Sequence, residues 1–189
     1  MTKFFLTKLA GFVAGLLLLS GCAGAGPYNT TADGADAHLM LTGHDPVAYF
    51  TIGKHTLGKP EIKSDHDGVT YRFMNAEHKS MFVKDPAKFV PQYGGYCSNG
   101  IVYGIPWGGD ADTWKMIDGK VYIFGGDSSR KYFLMDEKEN LVLADRYWKD
   151  EIKGSNAFLQ RYKRLVLRVP HYKTGKELEA SWQKRQAAT

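Results

Sequence analysis

Residues 67–83, DGVTYRFMNAEHKSMFV, contain a turn, a strand and a helix in direct succession. The pair Asp67-Gly68 is typical of the tight turn of a β-hairpin. Apolar and polar side chains alternate over 69–73, which predicts a strand with Val, Tyr and Phe on one face. Asn75 is a preferred N-cap residue, so the pattern predicts a helix over 76–83. This stretch therefore favours a fold built from short hairpins with helices beside them.

The same arrangement recurs further along the chain. Asp118-Gly119 separates the apolar-rich segments 114–117 and 121–124, which predicts a second hairpin. Apolar residues then follow helical spacing over 158–169, with Ser155 as a candidate N-cap. Thr174 and Glu177 have the spacing of a capping box for a last helix. The predicted fold class is α+β, with small antiparallel hairpins packed against helices and a C-terminal helical extension.

The first 22 residues have the features of a secretory leader. Lys3 and Lys8 precede an apolar stretch over 9–19, which is too short to span a bilayer. The ending Leu19-Ser20-Gly21-Cys22 resembles the bacterial lipoprotein cleavage box, which implies removal of residues 1–21 and acylation of Cys22, as by palmitate. An ordinary signal peptide would instead leave Cys22 free to pair with Cys97.

The predicted lipoprotein faces the periplasm from the cell envelope. Ala23, which follows the anchor cysteine, favours the outer membrane by resemblance to lipoprotein sorting patterns. Residues 22–38 lack apolar periodicity and are interpreted as a flexible tether. A folded domain is predicted over 39–154, and a basic helical tail over 155–189.

Nine Lys/Arg residues and only two acidic residues lie between Lys153 and Thr189. A basic amphipathic tail is suited to anionic lipid headgroups or to an acidic partner, and it is equally typical of a solvated helix face. Nucleic acid is not an expected partner, because the leader exports the chain and no recognition motif accompanies the charge.

Several short motifs carry a family resemblance. Residues 43–50 read GHDPVAYF, 71–73 read YRF, 93–97 read YGGYC and 114–122 read WKMIDGKVY. These strings resemble the YHS-domain family, in the branch found in exported bacterial proteins, and the likeness covers about residues 39–150. The resemblance implies a small treble-clef-like core, in a family whose founding members hold soft metal ions with cysteines.

This chain departs from the metal-binding members at three positions, where Ala48, Met74 and His78 stand in place of cysteines. Met74 and His78 are four residues apart, so they would project from the same side if Met74 lies on or near the first helical turn. Together with the Cys97 thiolate they would suit a copper ion. The other interpretations remain open: methionine as core packing, and Cys97 as a buried small residue beneath a glycine turn or as a reactive thiol.

No catalytic constellation stands out in the sequence. It contains no serine elbow, His-Glu-x-x-His helix or paired carboxylates, so we expect no enzyme activity. The glycine-rich loop between Trp107 and Trp114 is a candidate lining of a ligand cleft. The predicted function is a lipid-anchored periplasmic module that binds a soft metal such as copper. The alternative is an envelope interaction or structural lipoprotein that docks a protein partner.

Overall fold

The computed structural model describes residues 28–188 and confirms the predicted α+β class. Six strands form a four-stranded and a two-stranded sheet. The strands are β1 Thr30–Asp33, β2 Asp36–Met40, β3 Lys59–His66, β4 Val69–Phe73, β5 Asp110–Ile117 and β6 Lys120–Phe124. The helices are α1 Ala48–Thr51, α2 Ala76–Lys84, α3 Pro86–Phe89, α4 Ser98–Ile101, α5 Asp127–Met135, α6 Glu137–Tyr147, α7 Ala157–Val166 and α8 Gly175–Gln186.

Both predicted hairpins are confirmed. The β3–β4 and β5–β6 pairs are antiparallel and are joined by the two Asp-Gly turns. In each turn the aspartate and the glycine have positive φ, 51° and 75° at residues 67 and 68 and 47° and 71° at residues 118 and 119. Two positive φ values in succession give a turn whose twist matches that of the flanking strands.

The capping predictions are confirmed for α2 and α8. Asn75 accepts a hydrogen bond from the backbone N–H of His78, and Thr174 with Glu177 forms a complete capping box. The start of α7 differs from the expectation. Asn156, not Ser155, caps this helix by accepting from the N–H groups of its first turn.

Part of the predicted tether is folded. Residues 30–38 form β1 and most of β2, and β2 pairs in parallel with β4 so that the larger sheet has the order β1-β2-β4-β3. Arg72 on β4 explains this order. Its guanidinium donates to the carboxylate of Asp33 at 2.6 Å and to that of Asp36 at 2.7 Å. A charge-assisted pairing of this kind is formed only in three dimensions and leaves no periodic signal in the sequence.

The core consists of two clusters of buried side chains. One lies between the four-stranded sheet, α2 and β6, and is rich in aromatic residues such as Tyr71, Phe73 and Phe82. The other surrounds Tyr96, Cys97 and Phe133 and includes side chains of the last third of the chain. Both clusters lie within residues 28–188, so the described part of the chain contains its own core.

The C-terminal segment packs against the rest of the domain. Val169 and Leu178 are buried, and His171 Nε2 lies 2.9 Å from the carbonyl oxygen of Val102. Lys131 on α5 donates to Glu179 on α8 at 2.6 Å. The predicted basic tail is thus held on the folded unit by apolar and polar contacts.

Within residues 28–188, no helix has the length and apolar character required to cross a bilayer. The predicted leader and its acylation site Cys22 lie outside the described residues.

Candidate functional site

A glycine turn positions Cys97. Tyr93, Gly94 and Gly95 all have positive φ, and a Cβ on Gly95 would lie 2.9 Å from the sulfur of Met40. A side chain at position 95 would therefore strain the backbone and displace the side chain of Met40. Cys97 follows the turn, donates its N–H to the carbonyl oxygen of Trp107 at 2.9 Å and accepts from Gly100 N–H at the start of α4.

Cys97 is 3 % exposed and lines a cavity of about 300 Å³. The cavity walls come from four parts of the chain: the segment that begins with Cys97, the loop at Trp107, helix α5 and the C-terminal segment. Its aromatic side chains are Tyr103, Trp107, Tyr132 and Tyr172. The rest of the lining consists of four glycines, Leu178, Cys97 and the polar residues Asn99, Ser129 and Lys173. Aromatic surface beside a few polar groups is a feature of small-molecule sites.

Residues just before α8 and in its first turn complete the cavity on one side. Tyr172, Lys173, Gly175 and Leu178 all contribute to the lining. Tyr172 contacts the ring of Tyr103 edge-on, at 5.3 Å between centroids. The cavity therefore depends on the packing of residues 172–178 onto the domain.

The polar side chains that line the cavity are uncharged or positively charged. Burial raises the pKa of Tyr103 to about 12, so its hydroxyl stays protonated at neutral pH. The Tyr132 hydroxyl donates to Glu179 at 2.7 Å, and this contact raises its pKa. Lys173 adds an ammonium group, and none of the described residues that line the cavity is a carboxylate. The cavity thus favours a ligand with an aromatic or other planar body and an accepting or anionic group.

His78 belongs to a different part of the molecule. It is 6 % exposed, and its Nδ1 lies 2.7 Å from Oδ2 of Asp45, which has no exposed surface. Its Nε2 lies 3.1 Å from the hydroxyl of Thr51. Both ring nitrogens of His78 therefore have protein partners.

Asp45 connects the segments around His78. Its carboxylate accepts from the backbone N–H groups of Val47 and Met74, each at 2.9 Å. These bonds join the start of α1 to the end of β4, and His78 on α2 joins the same carboxylate. The Asp-His-Thr arrangement superficially resembles a catalytic relay, but its described contacts join α1, α2 and β4, which is a structural role.

Of the three residues of the predicted metal site, Met74 and His78 both bond to Asp45, Met74 through its backbone N–H and His78 through its ring. Cys97 belongs to the second core cluster and lines the cavity. His44 and His55 line a further cavity with Asp110 and Asp112. Across residues 28–188, no group of three or more His, Cys, Asp or Glu side chains is arranged to hold a metal ion. The copper prediction is not tested by these contacts and stays a prediction.

Sequence reasoning identified part of the cavity. Trp107 and Gly108 of the glycine-rich loop line it, as expected, whereas Trp114 packs edge-on against Tyr49 at 5.1 Å. Tyr132, Tyr172 and Lys173 were not expected there. They reach the cavity through contacts of α5 and α8 with the domain, and no local motif marks such contacts.

Comparisons of the chain with protein-family models, with curated proteins and with solved structures found no match. The YHS resemblance therefore stays a prediction that depends on the sequence motifs, and the function is argued from the geometry above.

Proposed function

We propose that this protein is a lipid-anchored binding module of the bacterial cell envelope, with a YHS-type domain that holds a small molecule in the Cys97 cavity. The observation that supports the proposal best is the cavity itself, with its volume of about 300 Å³ and its four aromatic side chains. Binding sites for small molecules start at about this size.

The chemistry of the lining suggests the class of ligand. The rings of Tyr103, Trp107 and Tyr172 provide flat apolar surfaces, and Lys173 provides a positive charge. A planar molecule with a carboxylate or similar group would stack on the rings and pair with the ammonium group. We therefore place small aromatic carboxylates first among the candidate ligands.

The location follows from the leader. The sequence Leu19-Ser20-Gly21-Cys22 supports acylation of Cys22, and Ala23 after it supports an anchor in the outer membrane, with the domain facing the periplasm. Mass spectrometry of the protein purified from membranes tests this part of the proposal. An unmodified Cys22 would contradict it.

A soft metal ion is the second candidate ligand, because Cys97 brings a thiol to the cavity wall. Of the three residues predicted for copper, Cys97 alone lines this cavity. Metal binding here would use Cys97 without His78, whose ring nitrogens bond to Asp45 and Thr51.

Titration with benzoate and naphthoate, followed by NMR, tests the small-molecule proposal. We expect shifts of the Trp107 indole signal in the wild type and none in Ser129→Trp, because Ser129 lines the cavity on α5. Val142→Trp is the control, since Val142 is an exposed residue of α6 that does not line the cavity. Absence of binding, or equal binding by Ser129→Trp, would contradict the proposal and favour the alternative of a docking lipoprotein.

A further inference from the structure

Helix α7 packs on the domain with its apolar face directed outward. Six large apolar side chains on one side of this helix and at its end are between 50 % and 71 % exposed. We call them the α7 face: Phe158, Leu159, Tyr162, Leu165, Val166 and Leu167. Their spacing of one, three and four residues forms one continuous stripe. A stripe of this kind normally faces a core, and an exposed one of this size marks an interaction surface.

The polar side of α7 holds the helix on the protein. Gln160 is buried and donates to the carbonyl oxygen of Gly104 at 3.0 Å. Arg161 donates to the carbonyl oxygen of Pro106 at 2.8 Å. Arg164 forms an ion pair with Glu151. These contacts fix the rotation of α7, so the outward direction of the apolar face is imposed by the packing of its polar side.

The chain leaves the domain for its predicted anchor close to α7. Asn29 donates to the carbonyl oxygen of Gly109 at 3.2 Å, three residues beyond the Pro106 carbonyl that Arg161 binds. Three residues span at most about 11 Å. Cys22 lies only six residues before Tyr28, a separation of at most about 22 Å. An acylated Cys22 would therefore keep α7 within a few tens of Å of the bilayer.

The charge around the α7 face suits an anionic surface. Lys163 is about half exposed on the helix, where it pairs with Glu151, and Arg168 and Lys153 are exposed. From Lys153 onward the chain has nine Lys/Arg and two acidic residues, although Glu151 just before this segment pairs with Lys163 and Arg164. Basic residues beside an apolar stripe are typical of helices that lie in the headgroup region of a membrane.

We propose that the α7 face inserts into the membrane surface and holds the domain against the bilayer that carries its lipid anchor. The choice of a bilayer as the occupant rests on the proposed anchor at Cys22. A lipid anchor and a second membrane contact together hold a protein more firmly than either does alone. The tether also raises the local concentration of the face at the bilayer, which favours this contact over one in solution.

A second copy of the chain fits this surface less well. Pairing two α7 faces would bring the exposed Arg168 side chains of both copies together, where like charges repel. Anionic headgroups, in contrast, neutralise these residues.

Binding of residues 23–189 to vesicles tests the proposal without the anchor. This form retains both core clusters. We expect it to sediment with vesicles of equal parts phosphatidylglycerol and phosphatidylcholine and to bind pure phosphatidylcholine more weakly. Phe158→Ser combined with Leu165→Ser should lower the partition coefficient at least about tenfold, because the apolar area that would insert is lost. Leu57→Ser combined with Val142→Ser is the matched control, since both residues are exposed apolar side chains elsewhere.

We expect all variants to fold, because the replaced side chains are exposed. Circular dichroism and thermal unfolding verify this. Equal vesicle binding by the α7 and control variants, or no binding by the wild type, would overturn the proposal. A dimer in solution that the α7 variant dissociates would also overturn it, in favour of a second copy. Since the assay uses no lipid on Cys22 and no cavity ligand, its result is independent of both parts of the proposed function.

Discussion

Nδ1 of His78 lies 2.7 Å from Oδ2 of Asp45, in a part of the molecule where neither side chain is more than 7 % exposed. The same carboxylate accepts from Val47 N–H and Met74 N–H. One buried carboxylate thus satisfies donors from α1, from the end of β4 and from α2. This relationship makes His78 part of the architecture, although the sequence alone made it a candidate metal ligand.

Replacing Asp45 with alanine should strongly destabilise the fold. The change leaves two backbone N–H groups and a ring nitrogen of His78 buried without their acceptor, at a cost of about 3 kcal/mol or more in the free energy of unfolding. Urea unfolding followed by circular dichroism measures it. Asp65→Ala is the control, since Asp65 is an exposed carboxylate that accepts one bond from Thr70, and we expect a loss of about 0.5 kcal/mol or less. Equal losses in the two variants would contradict the role given to Asp45.

The copper prediction can be tested residue by residue. If the protein binds one Cu(I) ion, Cys97→Ser should lower the affinity at least about tenfold, because it removes the only thiol of the described residues. His78→Asn should leave the affinity within about twofold, because the ring of His78 already bonds to Asp45 and Thr51. Competition with a chromophoric Cu(I) chelator measures both. Equal losses of affinity in the two variants would instead support the predicted metal site of Met74, His78 and Cys97.

The features that could be predicted from the sequence are those specified by neighbouring residues. Asp67-Gly68 determines its hairpin, and Asn75 determines the start of α2, through contacts spanning at most a few positions. The pairing of β1 and β2 with the sheet depends on Arg72, which lies 36 residues from Asp36. No local pattern indicates such a contact, so residues 30–38 resemble a tether until the fold is known.

The C-terminal segment shows a second limit of prediction from the sequence. The apolar spacing over 158–169 predicts a helix, and the structure confirms α7 but ends it at Val166. The same spacing does not say which side of the helix faces the protein. Gln160, Arg161 and Arg164 hold the polar side inward through carbonyl oxygens of residues 104 and 106 and through Glu151. Their partners are tertiary, so neither the exposed α7 face nor the cavity wall at Tyr172 could be read from the spacing.

Gly109 should be intolerant of even the smallest side chain. A Cβ there would lie 2.6 Å from the carbonyl oxygen of Gly95 and 2.7 Å from Cγ2 of Ile123. Gly109→Ala must therefore displace the backbone of the glycine turn before Cys97, and we expect a loss of about 2 kcal/mol or more. Gly175→Ala is the matched control, because no atom lies within 4 Å of its Cβ and alanine favours the helix. Differential scanning calorimetry of the two variants measures the difference, and a Gly109→Ala protein as stable as Gly175→Ala would contradict this account.

The contact between α5 and α8 should weaken in acid. Hydrogen bonds from Lys131, Gln183 and Tyr132 lower the pKa of Glu179 from its usual 4.5 to about 2. A carboxyl group with a lowered folded-state pKa stabilises the fold above its unfolded-state pKa, and that contribution is lost as the pH falls through the folded value. We therefore expect the contact to weaken progressively between about pH 4.5 and pH 2. Lys131 also lies 5.3 Å from the ring of Trp182, so the Trp182 indole NMR signal reports the change. In Glu179→Gln this signal should already be shifted at neutral pH and should lose its titration in that range. An unchanged acid titration in the variant would assign the effect to another carboxylate.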